Sequence, residues 1–143
     1  MTEPHSRKQV ENPLWNLYPT SGKWVYICEP NHDVRFAALC RAIKGADKNS
    51  LLDDPRFKTV ESRKQHNEAL IEVIEAHTQK FDHTGLMSAL KAAGIVAQPI
   101  NNLADVIRDE QSWQNQYFMK AYCEEVQREV DVRGLPVTLS KTP

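Results

Sequence analysis

The chain has 143 residues and a mass of 16.4 kDa, the size of one domain with one hydrophobic core. A 41% hydrophobic and 26% charged composition excludes wholesale disorder, and a net charge of -1 leaves no basic excess to neutralise phosphates, so nucleic acid is not an expected partner. No apolar run nears the roughly 20 residues that span a bilayer, and Met1 to Glu11 lack a signal peptide's apolar stretch, so no membrane is expected and the cytosol is the expected compartment.

Met1 to Glu11 is read as a flexible leader. Asn12 to Tyr18, with Pro13, Trp15 and Tyr18, is too aromatic for a solvated tail and is expected to lie across the domain surface. Ser21-Gly22 marks a turn. Trp24 to Cys28 is a short run of aromatic and β-branched residues, expected as a strand buried on both faces. Glu29-Pro30-Asn31-His32 is a loop, because proline restricts the residue before it and cannot donate to a ladder. Asp33 is a candidate N-cap for a helix whose inward face is Phe36, Leu39, Cys40 and Ile43, with Gly45 as its stop.

Asn49 to Phe57 is irregular, with one short helical turn and then Asp53-Asp54-Pro55. A long helix capped by Thr59 follows. Its inward stripe is Asn67, Leu70, Ile71, Ile74, His77 and Phe81, and Arg63 falls off that stripe. Replacing Ile71 or Ile74 by alanine is expected to cost about 2–5 kcal/mol at a central site. Thr84 caps another helix, with Leu86, Met87, Leu90 and Ala93 inward and Gly94 at its end. Ile95 to Ile100 is a short strand that Pro99 pushes to a sheet edge. Asn102 caps a short helix carrying Leu103, Val106 and Ile107. Phe118 to Tyr122 and Val126 to Val132 alternate with period two, which predicts two strands joined near Glu124-Glu125. Gly134 to Pro143 is an extended tail. The predicted architecture is α+β: helices packed on a small, mainly antiparallel sheet.

Recognisable chemistry is sparse. The five histidines form no close helical pair, and no Cys-x-x-Cys accompanies them, so no metal site is expected. Cys28, Cys40 and Cys123 are odd in number and far apart, which argues against a disulfide framework. No Gly-x-Ser-x-Gly and no phosphate-cradling glycine loop occurs. Cys40 sits on an apolar face and is read as core. Asp54 is read as a structural cap before Pro55. Glu29 stands apart, between the end of a strand and the start of a helix. It is either a surface loop residue or, if partly buried, a carboxyl with a raised pKa suited to proton transfer.

The order of short motifs adds a resemblance. Asn12-Pro13-Leu14-Trp15-Asn16-Leu17-Tyr18 is followed by Gly22-Lys23-Trp24, Phe36-Ala37-Ala38-Leu39-Cys40 and Asp54-Pro55-Arg56-Phe57. Arg63 and Asn67 come next, then Leu90 to Ile95, Ala97 to Asn101, Asp109-Glu110-Gln111, Gly134-Leu135-Pro136 and Leu139 to Pro143. The series resembles the small domain of family III CoA-transferases, from about Asn12 to Pro143. The family includes formyl-CoA transferase, carnitine CoA-transferases and α-methylacyl-CoA racemase.

The resemblance implies a small α+β domain that in full-length members accompanies a large CoA-binding domain, with two chains interlocked as rings. It implies acyl transfer through an aspartate of the large domain, and none of the aspartates here matches that nucleophile. The small domain lines the active site through the loop after its first strand, which here is Glu29 to Asp33. That loop contains no glycine, unlike the mobile one of formyl-CoA transferase. Glu29-Pro30 is similar to a pair in the racemase branch whose Glu serves proton transfer at the α-carbon. Ser140 to Pro143 falls where the family's chain returns to the large domain.

The expected function is therefore the small domain, or a fragment, of an acyl-CoA transferase, inactive alone. The alternatives are a racemase-branch domain using Glu29 and a non-catalytic module binding acyl-CoA or protein. Glu29, Pro30, Asn31 and His32 are the candidate substrate-binding loop. No tightly bound cofactor is expected, and a coenzyme A thioester is the candidate substrate. Expected partners are a CoA-transferase large domain or a second copy of the chain, met through Trp15, Trp113 or Tyr117.

Overall fold

A computed structural model describes residues 6–44 and 51–135, the side chain of His32 excepted. The chain divides into two compact units, residues 1–100 and 101–143.

The first unit is built on three short strands. Strand β1 (Trp15–Tyr18) pairs antiparallel with β2 (Val25–Cys28), which pairs antiparallel with β3 (Ala97–Pro99). The segment expected across the surface is thus an edge strand. Leu14, Asn16 and Tyr18 turn inward, while Trp15 and Leu17 turn out, so bulky residues on both faces mask the period of two. The Tyr18 hydroxyl donates to Pro13 O at 2.6 Å, which lets a phenol be fully buried. Strand β2 is central, yet only Val25 and Ile27 are fully buried, and Tyr26 and Cys28 are half-buried. Expected burial on both faces is therefore met on one. Pro99 sits on the outer strand, where a missing N–H costs no ladder bond.

Helix α1 (His32–Lys44) starts one residue before the expected cap, and Asp33 lies in its first turn. Phe36, Leu39, Cys40 and Ile43 are all buried. The predicted stop, Gly45, lies outside the described residues. Leu51–Asp53 and Pro55–Phe57 are 3₁₀ turns, and Leu51 and Phe57 join the core.

The expected single long helix is two. Helix α2 (Val60–Gln65) begins with a capping box between Thr59 and Ser62, and it ends at His66, whose ψ of 29° breaks the path. Helix α3 (Asn67–Thr78) then buries Leu70, Ile71 and Ile74, while His77 is half-buried and bonds Val73 O. Splitting the helix turns Arg63 inward, against the expected placement off the stripe. Helix α4 (His83–Ala92) is capped by Asp82, whose side chain accepts from Gly85 N–H, and not by Thr84. It stops at Gly94, whose φ of +70° suits glycine. Helix α3 packs on β1 and α4 on β3, with α1 against both helices.

The described end of the leader is docked. Arg7–Gln9 is a 3₁₀ turn, Arg7 pairs with Glu75 at 2.6 Å and Lys8 with Glu72 at 3.0 Å. Asn16 donates to Arg7 O, and Asn67 donates to Val10 O.

The second unit holds helix α5 (Leu103–Arg108), with Asn102 in a capping box, and helix α6 (Glu110–Gln114), capped by Asp109. Strands β4 (Phe118–Cys123) and β5 (Arg128–Arg133) form a hairpin, turning at residues 124–127 with Gln127 at φ 54°. The whole is α+β with small antiparallel sheets. Most of the expected tail, from residue 136, lies outside the described residues.

Candidate functional site

The loop between β2 and α1 is fixed by short-range chemistry. Pro30 keeps Glu29 out of helical conformation, and helix α1 can begin only beyond it. Asn31 O then accepts Arg35 N–H at 3.3 Å in the first turn. Residues 12–14 hold the loop from the side. Glu29 N–H donates to Leu14 O at 2.9 Å, and Asn12 Nδ2 donates to Glu29 O at 2.9 Å and to Pro30 O at 3.4 Å. Asn12 Oδ1 also takes Leu14 N–H at 2.9 Å, an Asx turn that fixes the amide in place.

Glu29 is only 6% exposed. Its Oε1 accepts Val96 N–H at 2.9 Å, and its Oε2 lies 3.9 Å from Arg35 Nε. Cys28 N–H donates to Val96 O, so the carboxylate supplies a second bond at the open end of the β2–β3 ladder. Pro30 and Asn31 are exposed, and His32 opens α1. The structure thus brings Glu29, Pro30 and Asn31 into one tightly held loop. Trp24 precedes β2 at its far end, beneath the Arg7 guanidinium at 5.0 Å, and is not part of this cluster.

Arg63 underpins α1. Its Nη1 donates to Phe57 O at 3.1 Å, its Nη2 donates to Asp33 Oδ1 at 3.2 Å, and its guanidinium lies 4.5 Å from the centre of the Phe36 ring. The side chain is 8% exposed. The Cys40 thiol is pushed up to about 12, chiefly by burial and against the opposing pull of Arg63, so it is no nucleophile at neutral pH. Asp54 caps the 3₁₀ turn that follows it, as expected, and the Arg56 side chain holds its carboxyl below the usual range. Trp113 is internal to the second unit: its indole donates to Ile107 O at 2.6 Å and its ring lies 5.9 Å from Phe118. Trp15 and Tyr117 are exposed. Among the described residues no group of three or more His, Cys, Asp or Glu could hold a metal ion, and no helix is long and apolar enough to cross a membrane.

Surface grooves among the described residues lie elsewhere. One of about 520 Å³ runs between α1 and α4 over Ala38, Arg41, Ala42 and Ala89, and one of about 240 Å³ lies beside Lys8 and Glu72. A third, of about 340 Å³, lies in the second unit against Leu103, Val106 and Tyr117.

Reading the sequence missed Asn12, Arg35, Val96 and the inward turn of Arg63. Asn12 before Pro13 carries an Asx-turn signal that was available. Val96 and Arg63 depend on contacts between segments remote in sequence, and Arg35 meets Glu29 across the fold of the loop between them.

A family profile described as CoA-transferase family III matches residues 1–143. The chain is 26% identical over 120 residues to (R)-2-hydroxy-4-methylpentanoate CoA-transferase of Clostridioides difficile, covering 82% of this chain and 29% of that protein. It is 26% identical over 145 residues to succinyl-CoA–D-citramalate CoA-transferase of Chloroflexus aurantiacus, covering 97% of this chain and 35% of that protein. In fold it matches a CaiB/BaiF family protein from Brucella suis with a TM-score of 0.70 at 24% identity, over 94% of this chain and 33% of that one. The chain therefore spans about a third of the length of these relatives.

Proposed function

We propose that this chain, which belongs to CoA-transferase family III, acts as the small domain of an acyl-CoA transferase. The observation that carries the reading is a family match over residues 1–143 in a chain spanning 29% and 35% of two transferase relatives. The nucleophilic carboxylate of the reaction then belongs to a large domain, and this chain contributes the wall formed by Glu29, Pro30, Asn31 and His32. One backbone hydrogen bond to Leu14 and two from the Asn12 side chain hold that wall at Glu29 and Pro30, which suits a fixed lining and not a glycine-hinged lid.

The test has two parts. The purified chain, given succinyl-CoA and D-citramalate or glutarate, should transfer no CoA above the rate without protein. Turnover by the chain alone would overturn its dependence on a second domain. In a ¹H–¹⁵N titration with CoA and succinyl-CoA, saturable shifts should cluster at residues 29–33. A folded spectrum silent to both ligands would remove this loop from the site.

The burial of Glu29 beside Pro30 favours one second reading, a racemase-type carboxyl serving α-proton transfer. Glu29→Gln separates the two. The amide oxygen can still accept Val96 N–H, so a holding role survives the change and a proton-transfer role does not.

A further inference from the structure

The Glu29–Arg35 pair is unequal. The carboxylate is buried, and its Oε1 is committed to Val96 N–H. The guanidinium side chain is 46% exposed and stands 3.9 Å from Oε2, about 1 Å beyond a charge-assisted hydrogen bond. Among the described residues Glu29 is the one anionic group paired with Arg35, and it faces only the Nε of the guanidinium. Its Nη1 lies over the turn between α4 and β3, where Gly94 has no side chain; a Cβ built there would sit 3.6 Å from that nitrogen. The positive φ at Gly94 keeps the position bare. Val96, which follows this turn and bonds Glu29, is 58% exposed. A planar cation and an exposed aliphatic residue that both meet one buried carboxylate suit an oxyanion on an aliphatic chain, and a carboxylate is the oxyanion that the acids of the transferase reading carry.

We propose that Arg35 is an oxyanion-binding residue of this chain, taking the free carboxylate of an aliphatic acid that exchanges CoA. The assignment rests on the transferase reading and specifies its acid-binding side. Because Glu29 offsets part of the charge, binding depends on directed hydrogen bonds and not on long-range attraction. Arg35 therefore should not be replaceable by lysine without loss.

The test is a ¹H–¹⁵N titration of the full chain with sodium glutarate, inorganic phosphate and CoA, following the Arg35 side-chain Nε–H and residues 29–35. Glutarate should shift these signals saturably. Arg35→Gln should abolish the response or weaken it at least about tenfold, and Arg35→Lys should be intermediate. Unfolding midpoints should stay close to wild type, because the side chain is half-exposed. A response to phosphate and CoA but not glutarate, lost in Arg35→Gln, would overturn the carboxylate and make the phosphates of CoA the ligand. An undiminished glutarate response in Arg35→Gln would overturn the role of Arg35. CoA shifts at Asn31 to Asp33, in a protein whose Arg35 signals ignore glutarate, would leave the transferase reading standing while this assignment fails. Silence to all three probes would sink this assignment and remove the loop from the site.

Discussion

At the scale of single residues, Arg63 shows why a side chain's worth depends on what it leaves behind. Removing it strands the carbonyl of Phe57, a fully buried residue, and uncovers the Phe36 ring. Arg63→Ala should therefore cost about 2–3 kcal/mol in urea denaturation. Asp33 is the other half of the ion pair, but its side chain is 42% exposed, so water can replace the contact. Asp33→Asn should cost less than about 1 kcal/mol. Equal losses for the two variants would show that the ion pair, and not the buried carbonyl and ring, is what Arg63 contributes. Cys40 gives a prediction in pH. Its folded-state value of about 12 stands above the ordinary value near 9, so the unfolded chain loses this proton first as pH rises. The favourable contribution of the neutral thiol is complete below about pH 9 and is lost between about 9 and 12, at up to about 1.4 kcal/mol per pH unit. Burial moves the Tyr18 hydroxyl in the same direction. Unfolding midpoints should fall from pH 8 to pH 10.5, and more steeply in wild type than in Cys40→Ala. In native protein at pH 8, iodoacetamide should reach half-buried Cys28 and Cys123 well before Cys40. Alkylation of Cys40 at the rate of the other two would contradict its burial.

At the scale of elements, caps and stops mark where local chemistry is decisive. Asp82 and not Thr84 caps α4, because only the Asp82 side chain reaches Gly85 N–H, at 2.7 Å. Asp82→Ala should lower stability by about 1 kcal/mol, and Thr84→Ala, at an exposed helical position, by no more than about 0.5 kcal/mol. The reverse order in thermal denaturation would refute the assignment. The contrast also shows what the sequence could reveal. Apolar faces were legible wherever a helix packs on one side, as in Phe36, Leu39, Cys40 and Ile43, because burial imposes the helical period directly. The break at His66 was not legible, since no proline or glycine marks it. Strand β1 was hidden by the outward Trp15 and Leu17, which a half-covered sheet tolerates. Within the candidate site, the sequence places the Glu29–Pro30 loop by its proline and its position between a strand and a helix. It cannot place Asn12 or Val96 beside Glu29, because those contacts join segments 17 and 67 residues apart.

At the scale of the whole chain, the two units differ in how they are stabilised. Every member of the buried apolar core, from Leu14 to Ala97, belongs to residues 1–100. Among the described residues of the second unit, Ser112 alone is buried, while Leu103, Tyr117, Met119 and Tyr122 are exposed. A two-stranded hairpin with two short helices and no buried apolar side chain cannot offset the conformational entropy of ordering roughly 35 residues. The capping boxes and the Lys120–Asp131 pair at 3.0 Å fix local geometry, but an exposed pair contributes little stability. A fragment of residues 1–100 should therefore unfold cooperatively in urea, and a fragment of residues 101–143 should show no cooperative transition and little amide protection. If the second fragment folds by itself, the exposed apolar residues are not the mark of a missing partner. If it orders only when a family large domain is added, the match along this chain and its span of about a third of its relatives follow from one cause. The first unit then supplies its own core and the Glu29 loop, while the second depends on surface that another domain provides.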